Sequence, residues 1–224
     1  MAIRKQSFAL DEFYHLYNRG NSKQVIFRGK KDYERFTALL YGINTDERFN
    51  FYNQSEHTDI YSQKQQSHLV YIGAYCLMPN HFHLLITPAV ENGVSLFMQK
   101  LLTAYVMYFN KRYKRTGSLF EGKFKSEHAG TDRYLKYLFA YIHLNPVKLI
   151  FPKWKEKGIP NKKQALDYLR TYNYSSLLNY LGNIRIENTI LHPKKFPRYF
   201  GTPKDSINEL TDWLSYPARQ DLAI

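Results

Sequence analysis

The sequence predicts an α+β protein, a small antiparallel sheet with helices packed against it, and three observations lead there. Short runs in which bulky and polar residues alternate mark strands. Longer stretches with apolar residues every three to four positions mark amphipathic helices. The two kinds interleave as strand, helix, strand, strand, helix, strand, helix, an order that suits one layered domain.

Residues 13–20 alternate and stop at Gly20, as a strand entering a turn does. Residues 31–43 carry Tyr33, Phe36, Leu39, Leu40 and Ile43 at helical spacing. The stretch 44–67, with Gln54, Gln63, Gln65 and Gln66, is polar and has no sustained period, which predicts a long, mobile excursion. Residues 68–78 and 81–87 are strand-like and joined by Pro79-Asn80, a β-hairpin. Residues 95–114 place Leu96, Leu101, Leu102, Tyr105, Val106, Tyr108 and Phe109 on one stripe among lysines and arginines, a long basic helix. Residues 119–127 have strand character, Thr131-Asp132 offers an N-cap for a helix to Leu144, and Pro146 stops it. This makes residues 1–150 one domain, and 151–224, basic at its start, a helical C-terminal appendage.

A chain of 224 residues buries a sizeable core and contains no apolar run of about 18 residues that would cross a bilayer. The first residues are charged without an apolar stretch behind them, so the expected location is the cytoplasm. The single cysteine, Cys76, sits among Ala74, Tyr75, Leu77 and Met78 and reads as strand packing. Against 19 Asp and Glu stand 32 Lys and Arg, a formal charge of +13 that attracts polyanions. With 20 Tyr and 15 Phe interleaved, nucleic acid is the leading partner.

Candidate chemistry begins at His81-Phe-His83. Side chains two apart on a strand share a face, so both imidazoles can meet one metal while Phe82 enters the core. Tyr141 and Asn145, four apart on the last helix, also share a face. Two imidazole nitrogens and an amide oxygen leave an octahedral Mg²⁺ or Mn²⁺ with open positions for a phosphate, which a phenolic oxygen can attack in line. Each feature has a plainer reading. An isolated His-x-His is commonly structural, Tyr134, Tyr137 and Tyr141 form a stripe that suits a core, and Asn145 before Pro146 suits a helix end.

The run Met78-Pro-Asn-His-Phe-His-Leu-Leu85 resembles the signature of the single-tyrosine HUH transposases, in which two histidines flank a hydrophobic residue. Tyr141-Ile-His-Leu-Asn-Pro-Val147 resembles that of one branch, the REP-associated tyrosine transposases, as do Tyr14 to Gly20, Asp32-Tyr-Glu-Arg-Phe36 and Leu119-Phe-Glu-Gly-Lys-Phe-Lys-Ser126. The resemblance spans roughly residues 13–150. It implies the ferredoxin-like sheet of the HUH nuclease fold, a divalent metal, and single-stranded DNA recognised beside a hairpin. Cleavage would leave a 5′-phosphotyrosine and a free 3′-OH. By position, His81 and His83 would be metal ligands and Tyr141 the nucleophile. Asn145 stands where insertion-sequence relatives have a glutamine ligand. Relatives work as monomers or as dimers that share active sites.

Phosphate contacts are expected from Arg19, Lys100, Lys111, Arg112, Lys114, Arg115, Lys123 and Lys125. Two other readings compete. A non-catalytic, sequence-specific DNA-binding descendant of a transposase would keep the basic face without needing metal and tyrosine together. A water-using metal hydrolase would need a further ligand, and His15, His68 and His128 lie in no ligand-like spacing.

Overall fold

A computed structural model describes residues 7–47, 58–62, 65–199 and 202–215. Four strands, β1 (Tyr14–Arg19), β2 (Val70–Met78), β3 (His81–Pro88) and β4 (Lys125–His128), form one sheet in the order β2-β3-β1-β4. Every neighbouring pair is antiparallel. This is the ferredoxin-like order, and it puts β1 and β3 at the centre with paired backbones on both sides.

The alternation along the strands sorts their side chains between two layers. Leu16, Ile72, Tyr75, Leu77, Phe82, Leu84 and Ile86 face α1 (Lys30–Gly42) and α3 (Gly93–Arg112), packing with Phe36, Leu39, Phe97, Leu101, Tyr105 and Phe109. Ala74, Cys76, Met78 and Leu85 face α4 (Asp132–Leu144), against Leu135, Leu138, Phe139 and Ile142. Cys76 is fully buried there, as its neighbours predict. A bulge at Gly73 shifts the β2–β3 register from Ile72↔Ile86 to Ala74↔Leu85, moving the later odd and even positions to the opposite layers. The ring of Phe196 fills the space a side chain at 73 would need, its Cε1 2.7 Å from where a Cβ would lie.

Helix α4 starts where its cap predicts, with the Thr131 hydroxyl accepting from the Tyr134 amide at 3.2 Å. Its side away from the sheet, Ala140 and Leu144, is covered together with Val147 by Trp154, Ala165, Leu169, Leu177, Leu210 and Leu214. These come from α5 (Trp154–Lys157), α6 (Lys162–Leu169), α7 (Leu177–Tyr180) and α8 (Pro203–Ser215). Among the described residues past 150 these helices pack on α4 rather than hanging from it.

Two segments differ from expectation. The strand predicted at 119–127 begins only at Lys125, because Gly122 at φ 148° breaks the ladder. Leu119 and Phe120 are instead buried in the core, Phe120 forming a lone bridge to Gly20. Of the excursion predicted at 44–67, residues 48–57 and 63–64 lie outside the described residues. Its near end is pinned, since Asn44 accepts from the amides of Leu69 and Val70 at 3.1 and 3.0 Å and donates to Val70 O at 2.8 Å. A short helix, α2 (Thr58–Ser62), buries Ile60 within it. Among the described residues no helix is long and apolar enough to cross a membrane.

Candidate active site

The side chains of β1 and β3 that face α4 turn polar toward one end of the sheet. Tyr17 stands opposite His83 and Arg19 opposite His81 in the ladder, with His15 one pair further along. Helix α4 lays Tyr141 across them. The result is a cavity of about 380 Å³ lined by His15, Tyr17, His81, His83, Tyr141 and Lys148 together with Asn18, Arg19, Glu121 and Lys125.

The two strand histidines do share a face, their rings 5.0 Å apart and perpendicular. Each is oriented through Nδ1, that of His81 lying 2.6 Å from Asn80 Oδ1 and that of His83 lying 2.8 Å from His15 Nε2. Asn80 Oδ1 can only accept, so His81 Nδ1 carries a proton there and Nε2 keeps its lone pair. The same tautomer in His83 would require it to donate to His15, the arrangement in which an outer partner aims a metal-binding imidazole.

All three imidazoles are held neutral. Burial lowers His15 to about 3; burial, then Arg19 and Lys148, lowers His81 to about 3. Burial, followed by the charges of His15, His81, Lys148 and Lys155, takes His83 well below the ordinary range. Neutral imidazole is the form that binds metal.

The Tyr141 ring meets that of His83 edge-on at 5.6 Å and that of His15 at 6.1 Å. Burial raises its phenol, and the Asn145 amide pulls it back. The other two tyrosines of the stripe are engaged elsewhere. Tyr134 OH donates to Glu127 Oε2 at 3.0 Å, and Tyr137 packs on Trp213 at 5.2 Å. Glu127 also accepts from Tyr17 OH at 2.8 Å, and burial followed by that bond raises Tyr17 to about 12.

Asn145 is 1% exposed; its Nδ2 donates to Tyr141 O at 3.0 Å, and its Oδ1 is buried without a partner. A buried acceptor left open is unusual in a folded chain, and this one lies a helical turn from Tyr141, although Asn145 is not among the residues lining the cavity. Among the described residues no group of three or more His, Cys, Asp or Glu side chains is placed to hold a metal ion. An ion at His81 and His83 would therefore need a donor of another kind to complete its shell.

Of the cations expected to meet DNA, Arg19 and Lys125 line the cavity. Others have local work. Lys100, on the helix of the opposite layer, donates to Thr45 O and to Glu47 O at 3.0 Å. Arg112 pairs with Asp32 at 3.5 Å, and Arg115 donates to Ser118 O at 3.0 Å. Lys111, Lys114 and Lys123 lie on the exposed surface of the α3 end and the loop after it. Sequence reasoning missed His15, Tyr17, Lys148 and Lys155. The signal for the first two was available, since both occupy the His83 side of a strand that alternates.

Residues 53–145 match the family described as transposase IS200 like, a stretch that holds the histidine pair, Tyr141 and Asn145. The matched stretch is less than half of the chain. Among solved structures it is similar to one described as the REP-associated tyrosine transposase bound to a REP hairpin, at 12% identity and TM-score 0.50. That likeness covers 84% of this chain and 90% of the other, and at such identity it is one of fold. No curated protein matches the chain.

Proposed function

We propose that the protein is a transposase that cleaves and rejoins single-stranded DNA beside hairpins, with Tyr141 as nucleophile. The observation that supports this best is the placement of Tyr141, alone of the three stripe tyrosines, against the His15–His83 pair in the cavity. The neighbouring structure's hairpin, and the +13 charge of this chain, favour a hairpin-forming strand as the partner.

Tyr141 Oη attacks phosphorus, the P–O3′ bond breaks, and a 5′-phosphotyrosine and a free 3′-OH result; the phenolic proton leaves to water and the 3′-oxygen takes one up. The ester keeps the bond energy for rejoining. A divalent cation, Mg²⁺ or Mn²⁺, held by His81, His83 and Asn145, would polarise the phosphoryl oxygens and orient the bond. His15 orients His83 through the 2.8 Å contact, and the buried wall behind Tyr141 keeps the phenol protonated until phosphate arrives. In this reading residues 1–150 carry the nucleophile and the histidine pair of a cytoplasmic protein, monomer or dimer, and α5 to α8 of the 151–224 appendage brace α4.

The test is incubation with Mn²⁺ and labelled single-stranded DNA carrying flanking hairpins, followed by a denaturing gel. A DNA–protein adduct that disappears in Tyr141→Phe while DNA binding persists is the expected result. Tight binding without an adduct for any substrate would replace this reading with that of a DNA-binding descendant.

A further inference from the structure

Beside the nucleophile stand two ammonium groups that the proposed reaction has not yet used, and both lie beyond the segment matching the family, which ends at 145. Lys148 lines the cavity, and Lys155 Nζ sits 4.0 Å from the centre of the Tyr141 ring. Both are partly buried, and among the described residues neither forms an ion pair with a carboxylate. Burial lowers both ammonium groups; Arg19 lowers Lys148 further, with Glu156 acting the other way, and Lys148 lowers Lys155. Like charges gathered in a half-dry pocket are unfavourable until an anion joins them. The face of a neutral phenol offers an ammonium only a weak attraction, on the order of 1 kcal/mol.

We infer that Lys155, supported by Lys148, is a phosphate ligand of the cleavage site, taking the phosphodiester that reacts with Tyr141. It rests on the reading of Tyr141 as nucleophile. As the phosphoryl group reaches the phenolic oxygen, Lys155 exchanges its contact with the ring for an ion pair with a non-bridging oxygen. Its ammonium stays protonated throughout, so the bond changes are those already written. It also explains why the helices after residue 150 pack so closely on α4. Trp154, one residue before, is buried in the cluster under Ala140 and Leu144, which fixes the helix α5 that carries Lys155. The ligand class is the phosphodiester backbone, without regard to base.

The experiment compares wild type with Lys155→Gln, Lys155→Arg and, as a control from the same helix, the exposed Lys157→Gln, all checked for folding by thermal melting. Adduct formation is timed in Mn²⁺ at saturating single-stranded hairpin DNA. Binding of the same DNA is measured in EDTA across a salt series. Lys155→Gln should form adduct about 100-fold more slowly, Lys155→Arg should recover much of the rate, and Lys157→Gln should match wild type. In EDTA, Lys155→Gln should flatten the dependence of log K on log salt by about 0.7. An adduct rate in Lys155→Gln equal to wild type would overturn the inference. Should wild type itself form no adduct, the nucleophile reading falls, and the salt series decides separately. A flattened slope then keeps Lys155 as a phosphate ligand of a binding protein, and an unchanged slope removes it.

Discussion

The two faces of the sheet are built from the same strands and differ in the polar groups they bury. On the α1–α3 face the one fully buried carboxylate among the described residues, Asp32, is answered from every side, although the Tyr75 hydroxyl is buried there without a partner. It accepts from the amides of Arg28 and Gly29 at 2.7 and 3.2 Å and from Tyr108 and Tyr113 at 2.9 and 2.7 Å, and Arg112 lies beside it. On the α4 face His15 Nδ1 and Asn145 Oδ1 are buried without partners, and three imidazoles share a cavity with two lysines and an arginine. A folded chain seldom leaves such groups open unless something else completes them. The first face holds the sheet together; in the proposed reading, the second keeps a place for phosphate and metal.

Substitutions can break that contrast, and the largest expected effect is on the first face. Phe82, fully buried against Phe36 and Phe120, should lose about 3–5 kcal/mol of stability as Phe82→Ala, read by denaturant unfolding. Next door, His81→Ala should alter stability by less than about 1 kcal/mol yet abolish metal binding and adduct formation together. If His81→Ala proves as destabilising as Phe82→Ala, the histidine face is core and not site.

Acid provides the next test. His15 and His143, both buried, have folded values lowered by burial to about 3, against about 6.5 unfolded. The unfolded chain then binds more protons between those values, so this stability is fully present above pH 6.5 and is lost as pH falls toward 3. At pH 5 the loss should be roughly 2 kcal/mol for each group, visible as a lower melting temperature than at pH 7.5. A flat profile over that range would mean that these histidines are not buried neutral.

Smaller effects separate the positioning residue from the ligands. His15→Ala should weaken Mn²⁺ binding by about 10–100-fold by titration calorimetry, less than loss of His81, because His83 remains but is no longer aimed. Smallest of all, Lys125→Gln should lower the salt dependence of single-strand binding by about 0.7, whereas Lys100→Gln, whose ammonium is tied to Thr45 and Glu47, should leave it unchanged.

Much of this architecture could be read from the chain because its signals are local. The period of two in β1 and β3, the three-to-four spacing in α1 and α3, and the Thr131 cap each depend on neighbours a few residues away. The shared faces of His81 with His83, and of Tyr141 with Asn145, are likewise local. What stayed hidden depends on register and packing. His15 reaches His83 across 68 positions of sequence, through the pairing of β1 with β3. Lys155 reaches Tyr141 only because Trp154 anchors α5 under α4. The strand character of 119–127 misled because Leu119 and Phe120 are apolar for the core, while Gly122 prevents the ladder from starting until Lys125. Lys100 shared a basic helix with the other cations, but only the fold reveals that its ammonium binds carbonyls on the far layer.

The central claim is that Tyr141, rather than a neighbour on the same stripe, takes the DNA. Digestion of the Mn²⁺-dependent adduct with nuclease and protease, followed by mass spectrometry of the peptides, tests it most directly. The account predicts a nucleotide remnant on Tyr141, esterified through its 5′-phosphate; a remnant on Tyr134 or Tyr137, or cleaved DNA with no modified tyrosine, would contradict it.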